Sequence, residues 1–178
     1  MNITVYCGSN FGNQLIYEEF ARDLGRFIAM HQHQLIYGGG NKGLMGVLAN
    51  SVINTGGQAI GIMPSFLINK EVANINLTEF IEVDTMSERK IKMIELGEAF
   101  VALPGGPGTL EEITEVISLI RLNLINKECY LMNIHGYYNH LEIFFDTMVK
   151  EGFMTAKERQ KIHFVESIGE LELLIEQH

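Results

Sequence analysis

Residues 99–124 of the chain read AFVALPGGPGTLEEITEVISLIRLNL and contain the strand, turn and helix signals that decide the fold. The apolar run 99–103 is typical of a strand that is buried on both faces of a parallel sheet. A glycine turn follows at 104–108, and apolar residues then recur at spacings of three and four, which predicts a helix over 110–124. The expected core-facing stripe of this helix contains Leu110, Ile113, Ile117, Ile120 and Leu124. The segment therefore predicts one strand–turn–helix unit of an α/β protein.

The same alternation of short apolar runs and helical patterns extends along the chain in both directions. Strands are predicted at residues 3–7, 34–37, 58–63, 80–83, 99–103 and 128–133. Helices are predicted at residues 15–30, 44–54, 87–96, 110–124, 139–150 and 169–177, and 64–76 is predicted as a loop with at most a short helical turn. This order predicts a parallel sheet with helices on both faces. Because no linker, repeat or low-complexity stretch interrupts it, we expect residues 1–178 to form a single domain.

The composition restricts the class of protein. Hydrophobic residues make up 47% of the 178 residues, as is usual for globular proteins. The formal net charge of −9 argues against wide contact with nucleic acid, because such contact needs a basic surface. No apolar run approaches the roughly 20 residues of a membrane span, and the first residues lack the basic segment of a signal peptide. The two cysteines are too few for a disulfide framework, so we expect a cytoplasmic protein without membrane or nucleic-acid partners.

Three glycine-containing segments follow predicted strands: Gly8-Ser9, 38–46 and 105–108. Ligands of open α/β sheets bind beyond the carboxyl ends of the strands, so these segments are candidates for a binding site. Residues 38–43 match the G-x-G-x-x-G pattern of dinucleotide sites, but they follow the second strand, and residues 59–64 lack the acidic residue that such sites carry. No Gly-Lys-Ser/Thr follows, which excludes a P-loop. The glycines either allow backbone N–H groups to approach an anion or serve a tight turn and close packing.

The carboxylate of Glu112 also has two interpretations. Residues 109–112, Thr-Leu-Glu-Glu, fit a capping box, in which the threonine and the glutamate satisfy each other's backbone donors. Similar patterns begin at Thr85, Thr155 and Ser167, so the pattern alone is weak support for a special role. Next to a glycine turn that binds phosphate, the Glu112 carboxylate would instead orient water or stabilise a developing cation.

Arg89 lies on an apolar helical face between Met86 and Met93. A basic residue in this position needs an anionic partner, and phosphate suits the planar fork of a guanidinium. A structural ion pair, or a side chain that extends along the apolar face to solvent, is the alternative. The histidines, including the H-x-H pattern of His31 and His33, lack convincing metal-ligand spacing, so no metal site is predicted.

Three motifs in order make the chain similar to the Lonely Guy family of cytokinin riboside 5′-monophosphate phosphoribohydrolases, whose members are often labelled possible lysine decarboxylases. The motifs are GGGNKGLMG at 38–46, Met86-x-x-Arg89-Lys90, and PGGPGTLEE at 104–112. The similarity spans nearly the whole chain. It implies a Rossmann-like, doubly wound α/β sheet, a homodimer, and hydrolysis of a nucleoside 5′-monophosphate to the free base and ribose 5-phosphate, with no cofactor and no metal ion. The sequence shows no recognisable lysine context for pyridoxal phosphate, so lysine decarboxylation is not expected.

The resemblance also assigns residues to the site. Arg89 and Glu112 match the family's catalytic arginine and glutamate. Positions matched to substrate binding are Glu71, Lys90, Gly106, Pro107, Gly108, Thr109, Leu110, Glu111 and Ser118. Independently of the resemblance, the glycine segments add Gly8, Ser9, Gly39 and Gly40 as candidate substrate-binding residues. Ser118 stands where many members have threonine, and Ser87 replaces a common histidine. A nucleotide-binding module without hydrolysis and a dinucleotide-dependent enzyme stay open as alternatives, although the presence of both Arg89 and Glu112 favours hydrolysis.

Overall fold

A seven-stranded sheet forms the centre of the structure, which is a computed structural model and describes residues 1–68, 72–74 and 76–176. The strands are β1 (Asn2–Tyr6), β2 (Gln34–Tyr37), β3 (Gln58–Pro64), β4 (Glu79–Val83), β5 (Ala99–Ala102), β6 (Cys129–Met132) and β7 (Ile162–Val165). The helices are α1 (Leu15–Met30), α2 (Gly43–Asn54), α3 (Met86–Leu96), α4 (Pro107–Arg121), α5 (Asn139–Lys150), α6 (Ala156–Arg159) and α7 (Ile168–Ile175). Short 3-10 turns lie at Ser65–Leu67 and Ile134–Gly136.

The strand order is β4-β3-β2-β1-β5-β6-β7, and every neighbouring pair is parallel. The chain therefore builds one half of the sheet outward from β1 and then returns to place β5 on the other side of β1. The loops after β1 and β5 diverge at this point, which opens a crevice at the carboxyl ends of the two strands. Gly8 and Pro104 lie in those loops, so the topology brings two of the glycine segments to one place.

The core has two layers, one on each face of the sheet. Helices α1, α2 and α7 cover one face, where Leu24, Leu48 and Leu171 are fully buried. Helices α3, α4 and α5 cover the other face with side chains that include Met93 and Ile113. Full burial of one such side chain stabilises the fold by about 1.5–3 kcal/mol relative to exposure, which is why the strands are almost continuously apolar. Within the described residues, no helix combines the length and the apolar character that a membrane span requires.

The predicted fold class, a parallel α/β sheet with helices on both faces, is confirmed. Two helices, Leu15–Met30 and Asn139–Lys150, have the predicted bounds, and the loop after β3 contains the short helical turn. Strand β7 and the four-residue helix α6 were missed by the sequence prediction. Strand β7 has only four residues, lies at the sheet edge and includes a histidine, so its pattern gave little signal.

The predicted bounds and buried stripe of α4 were partly wrong. The helix begins at Pro107 rather than Leu110, because a proline at the first helical position loses no hydrogen bond and already has a helical φ. It ends at Arg121, where Asn123 adopts a φ of 55° and the N–H of Leu124 donates to the Leu119 carbonyl. Leu110 and Leu124 are 41% and 67% exposed and lie outside the core. The predicted residues Ile113, Ile117 and Ile120 are buried, and Val116, which the prediction did not include, is buried with them.

Candidate functional site

A cavity of about 460 Å³ opens at the crevice between β1 and β5. Its wall combines the loops that follow these two strands, the first two turns of α4, and side chains of α3. Pockets for small ligands typically have volumes of about 300–1,000 Å³ and lie at this position in doubly wound sheets. The cavity is therefore the candidate functional site.

The glycine turn 104–108 forms one wall and leads into α4. The N–H of Gly8 donates to the Pro104 carbonyl over 3.1 Å and ties the loops after β1 and β5 together. A Cβ at Gly105 would lie 2.1 Å from the Thr109 hydroxyl oxygen, so a side chain is excluded there. At Gly106 and Gly108 a Cβ would meet nothing within 4 Å. Packing does not require these two glycines, but they leave the open N–H groups of the first helical turn accessible to an anion.

The capping-box interpretation of Glu112 is wrong. The N-cap of α4 is Gly106, so Thr109 is the third residue of the helix and Glu112 lies in its second turn. The corresponding patterns at Thr85, Thr155 and Ser167 do cap their helices, since each side chain accepts a hydrogen bond from the backbone N–H three residues on. The half-buried Glu112 lines the cavity. Its position is therefore explained by the cavity and not by the end of the helix.

The guanidinium of Arg89 is anchored in the cavity wall by backbone carbonyls. Arg89 is only 5% exposed, its Nε donates to the Ile62 carbonyl over 3.1 Å, and its Nη2 donates to the Gly38 carbonyl over 2.8 Å. A Cβ at Gly38 would lie 1.9 Å from Nη2, so glycine is required there to admit the guanidinium. The arginine does not extend to solvent. It places a fixed positive charge at the site.

The remaining glycines of the 38–46 segment mainly serve close packing. Gly39 has a φ of 80° and lies against the backbone of Gly61, while Gly43 has a φ of 56° and no room for a Cβ beside Ser9. Two N–H groups at the start of α2, those of Leu44 and Met45, approach the Gly8 carbonyl at 3.1 and 3.4 Å. Because Gly8 occupies this helix start, the start of α4 is the better anion site of the two.

Acidic side chains surround Lys90 on the flank of the cavity. Lys90 Nζ lies 2.5 Å from a carboxylate oxygen of Glu111 and 3.0 Å from one of Glu115, although the Glu115 oxygen is not aligned for a hydrogen bond. These contacts raise the pKa of Lys90 and tie α3 to α4. Burial, followed by the charges of Glu112 and Glu115, raises the pKa of the Tyr6 hydroxyl well above its usual value. Tyr6 therefore stays protonated beside these carboxylates at neutral pH.

The structure brings most of the predicted site residues to the cavity wall, namely Gly8, Ser9, Arg89, Gly106, Pro107, Gly108, Thr109, Glu111 and Glu112. Lys90 lies beside the wall, held by its acidic partners. Leu110 points outward, and Ser118 is exposed two turns further along α4, where its hydroxyl donates to the Thr114 carbonyl. Of the glycines at 38–40, Gly38 lines the cavity, whereas Gly39 and Gly40 are not part of its wall. The backbone of this segment instead pairs with residues 72–74 through hydrogen bonds. Glu71 lies outside the described residues.

Two tyrosines near the cavity were not predicted as site residues. The Tyr137 hydroxyl donates to the Gly105 carbonyl over 2.5 Å, and the Tyr138 hydroxyl donates to the Leu103 carbonyl over 2.7 Å. Tyr137 lines the cavity, whereas Tyr138 is buried beneath the glycine turn. Both follow β6 closely, so their place at the carboxyl edge of the sheet was the available signal.

Comparisons with known proteins agree with this geometry. The family model described as "Possible lysine decarboxylase" matches residues 45–173. The cytokinin riboside 5′-monophosphate phosphoribohydrolase of Rhodococcoides fascians is 43% identical over 162 residues, which cover 90% of this chain and 82% of that protein. The protein of the same name from Arabidopsis thaliana, LOG1, is 41% identical over 169 residues, 95% of this chain and 79% of its own length.

A solved structure extends the likeness to the fold. The molybdenum cofactor carrier protein of Chlamydomonas reinhardtii superposes with a TM-score of 0.74 over 99% of this chain and 95% of its own, at 21% identity. At that identity the likeness shows the fold alone. The family-model match and the sequence relatives go further, and they confirm the predicted resemblance. The chain belongs to the Lonely Guy family of cytokinin riboside 5′-monophosphate phosphoribohydrolases.

Proposed function

We propose that the chain hydrolyses the N-glycosidic bond of nucleoside 5′-monophosphates, releasing the free base and ribose 5-phosphate. The observation that carries this proposal is the meeting of three groups at one cavity. These are the open start of α4, the buried guanidinium of Arg89 and the carboxylate of Glu112. Relatives of 41–43% identity are named for this activity, which supports the same assignment.

The 5′-phosphate is proposed to bind at the N-terminus of α4. The backbone N–H groups of Gly106, Gly108 and Thr109 would donate to its oxygens, and the helix dipole adds a favourable field. The first turn of α4 contains no acidic residue that would repel a phosphate. Fixing the phosphate in this way would place the ribose over the second turn, where Glu112 lies.

Bond cleavage is proposed to rest on Glu112 and Arg89. As the bond between C1′ and the base nitrogen breaks, its electron pair leaves with the base and the ribose becomes cationic. The Glu112 carboxylate would stabilise that cation or orient the water that adds to C1′. The water contributes hydroxide to C1′ and a proton to the base, so atoms and charge balance. Arg89 would position the nucleotide and assist departure of the base through its fixed charge.

The base is proposed to lie against the apolar part of the wall, where Phe11, Leu67, Met86 and Met93 line the cavity. Apolar contacts discriminate only weakly for or against one added hydrocarbon group. We therefore expect both AMP and its cytokinin analogue, which carries an apolar substituent on the base, to be hydrolysed.

The decisive experiment incubates the purified chain with AMP, isopentenyl-AMP, GMP and CMP and measures the free base by chromatography. We expect adenine and isopentenyladenine as products, and much slower release from adenosine, which lacks the 5′-phosphate. Nucleotide protection against thermal unfolding with no base released would favour a binding module instead. An absorbance change that depends on a nicotinamide cofactor would favour a dinucleotide enzyme.

We also infer that the active form is a homodimer. Large apolar side chains are exposed on and just after α5, with Ile143, Phe144 and Phe153 at 60%, 56% and 77% exposure. Exposed apolar surface of this kind is typical of interfaces. Light scattering on the purified chain should give twice the monomer mass, and Phe144→Asp should lower it. A monomeric wild type would contradict this inference.

The cytoplasm is the proposed compartment. The chain has only two cysteines, Cys7 and Cys129, which are too few for a disulfide framework, as is usual for proteins of a reducing compartment. Cell fractionation with an antibody against the chain tests this assignment, and recovery outside the cytoplasmic fraction would contradict it.

Tyr137→Phe is expected to weaken substrate binding, whereas Tyr138→Phe is expected to lower the stability of the fold. Tyr137 is 44% exposed and holds the Gly105 carbonyl, so its variant should raise KM for AMP several-fold while the fold stays stable. Tyr138 is 6% exposed, and its variant leaves the buried Leu103 carbonyl without this donor, at a cost of about 1–3 kcal/mol. Steady-state kinetics and urea unfolding measure the two effects. An unchanged KM in Tyr137→Phe would contradict the role of its hydroxyl in shaping the turn.

A further inference from the structure

A second cluster of ionisable side chains lies at the end of α1 that is remote from the cavity. His31 follows the last residue of α1, and its Nε2 lies 2.8 Å from a carboxylate oxygen of Glu172 on α7. Glu176 is four residues further along and lies at the C-cap of α7. One ligand atom from each of the three residues lies within 4.8 Å of the others. The side chains of His31 and Glu172 are each 36% exposed, so the cluster is accessible from solvent.

The hydrogen bonds of His31 define the character of the cluster. Its Nδ1 lies 3.0 Å from the Phe27 carbonyl oxygen, which can only accept a hydrogen bond. In the neutral ring the proton is therefore on Nδ1, and Nε2 presents its lone pair to the Glu172 carboxylate. This arrangement leaves a nitrogen lone pair and a carboxylate oxygen 2.8 Å apart, and a cation, whether a proton or a metal ion, satisfies both atoms. Histidines that bind metals commonly donate their other N–H to a backbone carbonyl in this way.

The local electrostatic field also favours a cation. Helices α1 and α7 both end at the cluster, and neither has a basic residue in its last turn. The negative end of each helix dipole therefore adds to the charges of Glu172 and Glu176. The two carboxylates are also four residues apart on one helix face, where like charges repel. A bound cation would reduce the repulsion between the two carboxylates and would interact favourably with the negative ends of both helix dipoles.

We propose that His31, Glu172 and Glu176 form a binding site for a divalent transition-metal ion of the Zn²⁺ type, which fastens α7 to α1. One imidazole nitrogen and two carboxylate oxygens are a donor set that Zn²⁺ accepts, with its remaining positions filled by water. The spacing of the histidines in the sequence did not predict this site, because its other two ligands, Glu172 and Glu176, lie near the opposite end of the chain. His31 and Glu172, for example, are 141 residues apart.

The test is a calorimetric titration of Zn²⁺ into the tag-free full chain, compared with His31→Gln and Glu176→Gln. We expect one ion per chain in the wild type and affinity at least about 10-fold weaker in each variant. His140→Gln, which removes an exposed histidine on α5, is the matched control and should bind as the wild type does. Glu176→Gln retains the contact between His31 and Glu172, so it remains informative if His31→Gln folds poorly.

Thermal unfolding provides the second measurement. Zn²⁺ should raise the unfolding temperature of the wild type and of His140→Gln but not that of His31→Gln, because only a site in the folded state stabilises. The proposal is overturned if the wild type shows no saturable binding, or if His31→Gln binds Zn²⁺ with unchanged affinity.

Discussion

Glu112→Gln is expected to lower kcat for AMP hydrolysis by about 10²- to 10⁴-fold, the usual contribution of a carboxylate that acts on a proton or a developing charge. The substitution preserves size and removes the negative charge from the cavity wall. KM and the free energy of unfolding should change little, because Glu112 lies in the second turn of α4, beyond the N-cap at Gly106. Release of adenine, measured by chromatography, gives kcat, and urea unfolding gives the stability.

Glu158→Gln is the matched control, because Glu158 completes a true capping box with Thr155. Hydrogen bonds from the backbone and side chain of Thr155 lower the pKa of Glu158. A lowered pKa stabilises the fold above the pKa of the unfolded chain, and this contribution is lost as the pH falls through the folded-state value. The control should therefore unfold more easily at neutral pH, converge with the wild type in acid, and keep full activity. Near-normal turnover by Glu112→Gln would rule out its catalytic role.

The two roles of Glu112 show what the sequence could and could not predict. The spacing of apolar residues identified the α/β class and most strands and helices. It could do so because the residues that a strand or a helix buries recur with the period of that element. The start of α4 was placed three residues late, at Leu110 instead of Pro107. That small shift decides whether Thr109 is the N-cap or a residue inside the helix. The first and last residues of a helix depend on single turns and on proline geometry. The spacing of apolar residues is a property of several turns together and does not record these local features.

The sequence also could not predict contacts between segments that lie far apart along the chain. The sequence indicated that Arg89 needs a partner, but it could not show that two backbone carbonyls anchor it or that Gly38 makes the space. Backbone carbonyls carry no sequence signal, because every residue has one. Tyr137 was missed for the same reason, since its partner is the Gly105 carbonyl. The sequence shows the glycine motif at 38–46 and the arginine motif at 86–90 as separate features. The structure shows that they pack against each other, through Gly38 and Arg89.

Gly38→Ala is expected to reduce kcat/KM for AMP by about 10²-fold or more, although no catalytic group is changed. A Cβ at this position would lie 1.9 Å from Arg89 Nη2, so the guanidinium or the loop must shift until that distance reaches at least 3.0 Å. Displacement of a positioning group by about 1 Å can cost this much in rate. The hydrogen bond to the Gly38 carbonyl should weaken as well, lowering the free energy of unfolding by about 1–3 kcal/mol. Gly169→Ala, where a Cβ meets nothing within 4 Å, should be active and stable.

A double-mutant cycle with Arg89→Lys tests whether the alanine acts through the arginine. Lysine lacks the planar fork that reaches both the Gly38 and Ile62 carbonyls, so Arg89→Lys alone should destabilise the chain and lower activity. It also removes the Nη2 atom that the new Cβ would strike. Gly38→Ala should then cost much less free energy of unfolding in the Arg89→Lys background than in the wild type, as expected for residues in contact. Additive losses across the four proteins would show that Gly38 acts independently of the arginine, through the loop backbone alone.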